Sequence, residues 1–171
     1  MKKYIRAICL TLALVCMMLA VACNDDTAGE SSVGGADDSG VKLYVEYNGV
    51  TVKMGAAADD VIKALGEPQK KTEIGDCGGL GALVKYSYAS VEIYVVESKD
   101  NGNVIDQITL RDDIVTTPEG VAIGMSTAEA KSALGEPDSA TDKALEYKNG
   151  KYVLKISLDG DTVNGINYIT Q

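Results

Sequence analysis

The tetrapeptide Leu65-Gly66-Glu67-Pro68 returns 69 residues later as Leu134-Gly135-Glu136-Pro137, and no other feature constrains the chain as much. In the same register Val52 matches Val121, Gly55 matches Gly124, Asp60 matches Glu129 and Ala64 matches Ala133. Each copy ends a short amphipathic segment on Leu, turns on Gly and breaks at Pro. Gly takes the left-handed conformation that closes a helix, and Pro cannot continue one. Leu65, Gly66, Pro68, Leu134, Gly135 and Pro137 are therefore read as structural helix stops. The repeat predicts one unit written twice.

The flanking pattern fills in that unit. Leu43, Val45 and Tyr47 alternate up to Asn48-Gly49, and Val50, Val52 and Met54 alternate after it, which is the pattern of a hairpin. A helix over about 57–65 carries Ala58, Val61, Ile62 and Leu65 on one face. The second helix begins with a capping-box pattern, Ser126 and Glu129, where the first has Ala57. Strands are expected near 83–88, 91–97 and 104–110, and again near 144–147, 151–158 and 163–169, with Asn149-Gly150 and Asp159-Gly160 as turns. Val104–Leu110 and Val163–Ile169 are matched as closing strands. The expected fold is α+β: two tandem helix-plus-antiparallel-meander units, helices on one face of the sheet and the other face wet.

The first 40 residues read differently. Lys2, Lys3 and Arg6 precede an apolar run from Ala7 to Val21, which ends at Ala20-Val21-Ala22-Cys23. This is the order of a secretory signal peptide. Its boundary resembles the lipobox of bacterial lipoproteins, with Ala20 where that family favours Leu. The resemblance implies cleavage after residue 22 and lipidation of Cys23. Asn24 to Gly40 has five acids, no base and many Gly and Ser residues, so it is expected to be a disordered, self-repelling tether. The expected divisions are thus leader 1–22, lipidated Cys and tether 23–40, first unit 41–113 and second unit 114–171. The expected address is the extracytoplasmic face of a cell membrane, reached through the lipid.

Composition excludes several function classes. The formal net charge is −9, and without the three leader cations it is −12. That balance opposes nucleic acid, whose binding rests on Lys and Arg neutralising phosphates. There is no His, Trp or Phe, so the commonest general base and metal ligand are absent. No enzyme, cofactor or metal site is expected. Cys9 and Cys16 lie in the leader, which leaves Cys77 as a candidate free thiol in Gly75-Asp76-Cys77-Gly78-Gly79 with no intramolecular partner. Asp112-Asp113 and the Asp159/Asp161 pair are read as solvated turns.

Short helix, Leu-Gly-Glu-Pro and meander, in tandem after a lipobox, resemble the β-lactamase-inhibitor-protein-like fold, which also holds the small outer-membrane assembly lipoproteins similar to SmpA and OmlA. Val121-Ala122-Ile123-Gly124-Met125-Ser126 leading to Leu134-Gly135-Glu136-Pro137 is the best match, and the resemblance covers about residues 49–171. The inhibitors carry two disulfides and an aromatic concave face, whereas this chain has one domain cysteine. The long acidic tether is more similar to surface lipoproteins of Gram-positive bacteria. What the resemblance implies is a non-enzymatic protein-binding or inhibitor-like module, its partner an envelope or extracellular protein met by the sheet face. The alternative is a binder of cell-wall glycan or a small ligand. Tyr86, Tyr88, Tyr94, Tyr147 and Tyr152 are the candidate partner-binding residues, because Tyr offers apolar area together with a hydroxyl.

Overall fold

Asn48 and Gly49 both take positive φ, 51° and 76°, in the computed structural model, which describes residues 40–76, 79, 81–98, 100 and 102–171. Two left-handed residues make the tight turn whose twist suits a hairpin. It joins β1 (Tyr44–Tyr47) to β2 (Val50–Lys53). Val45 and Val52 sit directly opposite each other and are fully buried.

Two helices of eight residues follow at a distance: α1 (Ala58–Leu65) and α2 (Thr127–Leu134). At the start of α2 the Ser126 hydroxyl accepts from the Glu129 amide, and the Glu129 carboxylate accepts from the Ser126 amide at 2.9 Å. Ala57 gives α1 no such cap. Both helices stop where Gly66 and Gly135 take φ of 77° and 81°.

The remaining strands are β3 (Lys70–Asp76), β4 (Ala82–Ser87), β5 (Val91–Glu97), β6 (Val104–Leu110), β7 (Ser139–Thr141), β8 (Ala144–Asn149), β9 (Tyr152–Asp159) and β10 (Thr162–Thr170). They form one antiparallel sheet in the order β3-β4-β5-β6-β10-β9-β8-β7. This corrects the expected α+β fold of two helix-plus-meander units: the described protein is mostly β, with a two-stranded and an eight-stranded sheet and only two short helices. The physical reason lies at β6 and β10. Leu110 pairs with Ile166 and Ile108 with Tyr168, so each strand satisfies the backbone groups that the other would leave at an edge. The helices, two turns each, bury one alanine apiece and do not form a layer of their own. Neither edge strand is expected from the sequence. β3 is kept from pairing further by Lys70, Lys71 and a bulge at Ile74.

The sequence repeat persists as matched local bonding within this one sheet. The Gly55 amide donates to Ile105 and the Ile105 amide to Ala56; likewise Gly124 donates to Val163 and Val163 to Met125. The closing strands therefore correspond at an offset of 58, Ile105 with Val163, one residue away from the match expected by sequence. A bulge repeats at the same offset, at Asp106 in β6 and Asn164 in β10. The Tyr88 and Tyr147 hydroxyls donate to the carbonyls of Gly66 and Gly135, both at 3.2 Å.

One side of the large sheet is dry. Ile93, Ile108, Tyr168 and Leu154 stand opposite one another across β5, β6, β10 and β9, all fully buried. They gather with Val45, Val52, Ala58 and Ala130 in a single core, each large apolar side chain contributing about 1.5–3 kcal/mol.

Candidate functional site

Strand alternation that sends Ile93, Ile108 and Tyr168 inward sends their neighbours out on the opposite side. Glu92, Thr109, Asn167, Lys155 and Glu146 make one outward row across β5, β6, β10, β9 and β8. Lys85, Tyr94, Gln107, Ile169 and Val153 make the next. No helix of the described residues packs over these rows, because Ala58 and Ala130 belong to the core on the other side. Apart from Val153, which is buried, these side chains are half-exposed.

The rows hold themselves in place. Gln107 donates to the Thr109 hydroxyl at 3.1 Å, and Thr109 donates to Asn167 Oδ1 at 3.0 Å across the central β6–β10 pairing. Glu92 takes Lys85 Nζ at 3.2 Å on one oxygen and the Tyr94 hydroxyl at 3.3 Å on the other, with Arg111 Nη1 at 3.9 Å. Lys155 pairs with Glu146 at 3.3 Å. Burial, and then the Glu92 charge, push the Tyr94 hydroxyl above its usual pKa, so it stays protonated and donates. A face of fixed donors and acceptors costs a partner little ordering on contact. It offers directional hydrogen-bond donors and acceptors to whatever meets it.

The candidate tyrosines divide. Tyr94 lies on this open face. Tyr86, Tyr88 and Tyr147 do not: they face the core, between 3% and 9% exposed, which corrects their placement on a wet surface. Their rings close the ends of the dry side, and their hydroxyls are spent on Glu97, Gly66 and Gly135. Tyr152 packs partly against the core, its hydroxyl occupying the space a side chain at Gly55 would need. The residues that sequence reasoning missed are Glu92, Gln107, Thr109, Asn167, Lys155 and Glu146. The available signal was polar residues at alternate positions of β5, β6, β9 and β10.

The helix stops behave as capping geometry, with Leu65 and Leu134 packed against the core. Pro68 and Pro137 follow each helix before β3 and β7. Asp112 Oδ1 accepts from the Ile114 amide at 3.1 Å, a turn role. The leader, Cys23, the tether up to residue 39 and Cys77 lie outside the described residues.

A cleft of about 660 Å³ opens between the β3–β4 and β5–β6 connections, lined by Asp76, Glu97, Asp100 and Asn103 among others. Glu97 is engaged there: the Tyr86 hydroxyl and then Lys71 hold its carboxyl below the usual range. No group of three or more metal-ligating side chains occurs among the described residues, and none of their helices is long and apolar enough to cross a membrane. No family model matches the chain, nor does any curated protein or solved structure.

Proposed function

We propose that this protein is a membrane-anchored extracytoplasmic lipoprotein acting as a non-enzymatic protein-binding module through the open face of its eight-stranded sheet. The observation that carries this reading is the pair of outward rows centred on Thr109 and Asn167, pre-arranged by their own hydrogen bonds and packed by no helix of the described residues. The Ala20-Val21-Ala22-Cys23 boundary supports the anchor, with Cys23 as the lipidated residue. A rigid half-exposed face with one aromatic and a guanidinium at its side fits the composition of protein interfaces.

The cleft beside Asp76 and Glu97 favours a second reading, a small-ligand binder, since its volume suits one. Its lining of acids, glycines, Ser98 and Asn103 offers no large apolar side chain among the described residues to hold a ligand.

Two measurements test the proposal. Radiolabelled palmitate is expected on the wild-type chain and absent from Cys23→Ser; label that survives the change removes the anchor. The full chain, used as bait against its own cell envelope, is expected to retain one dominant protein. Tyr94→Ala should weaken retention by about tenfold, as loss of an interface anchor does, while Tyr152→Phe leaves it unchanged. Equal retention by Tyr94→Ala removes the face from the site.

A further inference from the structure

Charge is distributed unevenly over this protein. Residues 40–171 carry 13 Lys and Arg against 20 Asp and Glu. At outward register positions of the open face stand Lys70, Lys85, Lys148 and Lys155, with Arg111 just past the end of β6 beside Glu92, against the acids Glu92, Glu146 and Asp159. The face is net positive on a body that is net negative. Three of these cations are the freer ones: Lys70 and Lys148 are exposed, and Arg111 is 56% exposed and only 3.9 Å from Glu92 at best. They mark three sides of the face, near β3, β6 and β8.

Resting on the binding-face reading above, we propose that the partner presents an acidic protein surface whose carboxylates meet Lys70, Arg111 and Lys148. Its neutral groups meet the Tyr94, Gln107, Thr109 and Asn167 centre. A positive face on a negative molecule steers an anionic partner to this side and turns it away from the rest. The class of partner follows from where the free charge lies. Glu92 and Glu146 each hold a lysine in an ion pair within the face, which leaves the Thr109–Asn167 centre without free cations, so a uniformly anionic surface, whether lipid headgroups or a polyphosphate chain, would be desolvated there with no charge to meet. A folded protein can place acids at the margins and amides or hydroxyls at the centre. The cations spread over six inter-strand steps, about 30 Å, which suits a protein patch of standard size.

The test compares the full chain, the variant Lys70→Gln/Arg111→Gln/Lys148→Gln and Tyr94→Ala as baits for envelope proteins, identified by mass spectrometry. Poly-L-glutamate and phosphatidylglycerol vesicles serve as separate probes. The triple variant leaves the Lys85–Glu92 and Lys155–Glu146 pairs intact, and an unchanged melting temperature shows that it folds. The expected result is one retained protein of acidic surface, its retention by wild type falling about tenfold between low and about 300 mM salt. The triple variant should lose about tenfold at low salt and show little further salt dependence. Retention that Tyr94→Ala abolishes but neither salt nor the triple variant affects keeps the binding face and overturns its acidic partner. Retention indifferent to all three changes, or no retained protein, overturns both readings. Vesicles or poly-L-glutamate bound as tightly as the protein, with the same loss in the triple variant, overturn the protein class.

Discussion

Tyr168 carries its hydroxyl into the core with no hydrogen-bond partner among the described residues, and burial, with the Glu119 charge behind it, pushes its pKa far above the usual range. An unpaired buried hydroxyl costs about 1–3 kcal/mol. Tyr168→Phe is therefore expected to leave stability unchanged or raise it by about 1 kcal/mol in chemical denaturation; a loss of that size would show a partner for the hydroxyl. Tyr86 has the opposite role. Its hydrogen bond, followed by Lys71, keeps the Glu97 carboxyl below 4.5, so this contribution is present in full above pH 4.5 and lost as pH falls through the lowered value. Tyr86→Phe should cost about 1.5 kcal/mol at neutral pH, and the gap to wild type should narrow as pH falls below 4.5 through the lowered value. Equal gaps at pH 7 and pH 3 would break the link to Glu97. Strand alternation alone puts Tyr86 and Tyr88 on one side and Glu92 and Tyr94 on another. It could not say which side the rest of the chain would cover, because that depends on contacts far apart in sequence.

The two helices differ at one residue that matters. Ser126 caps α2 with two reciprocal hydrogen bonds, while Ala57 leaves the first amides of α1 without a side-chain partner. Ala57 is exposed, with φ −58° and ψ 127°, a backbone suited to a cap, and Asp60 stands where Glu129 stands in α2. Ala57→Ser is expected to raise stability by about 1 kcal/mol, read as a higher melting temperature; no rise would place the helix start under another control. This asymmetry was legible because a capping box is local. So were the Asn48-Gly49 turn and the helix stops, each fixed by residues within four positions. The edge strands were not legible. β3 reads Lys-Lys-Thr-Glu-Ile-Gly-Asp and β7 is three residues long, so neither offers the apolar alternation by which a strand is recognised. Connections of unequal length shift the repeat offset from 69 at the helices to 58 at the closing strands, which hides the correspondence from any comparison at one register.

At the scale of the molecule, the pairing of β6 with β10 decides the architecture. Ile108 and Tyr168 face each other across it and contribute to a core that runs from β4 to β8. A shared core predicts a single cooperative unfolding transition, with calorimetric and van't Hoff enthalpies in agreement. Ile108→Ala should lower stability by about 3 kcal/mol through the cavity it leaves and shift that transition whole. Two resolved transitions, one unmoved by the substitution, would show two independent units. This pairing joins residues 56 or more positions apart, beyond the reach of local pattern, and so the sequence left open whether the two units share one continuous sheet. The open face follows directly from it: its central hydrogen bond, Thr109 to Asn167, exists only because the two strands meet.

The first residues of the folded body are pinned across the chain. The Asn149 side chain donates to the Val41 carbonyl at 3.0 Å, and the Lys42 amide donates to Glu119 at 2.9 Å. In mechanical terms, tension on the polypeptide ahead of Val41 enters the β8–β9 turn and the segment before α2 before it reaches the β1–β2 pair. The load is shared with the late part of the chain from the outset, and the early part is not peeled away strand by strand.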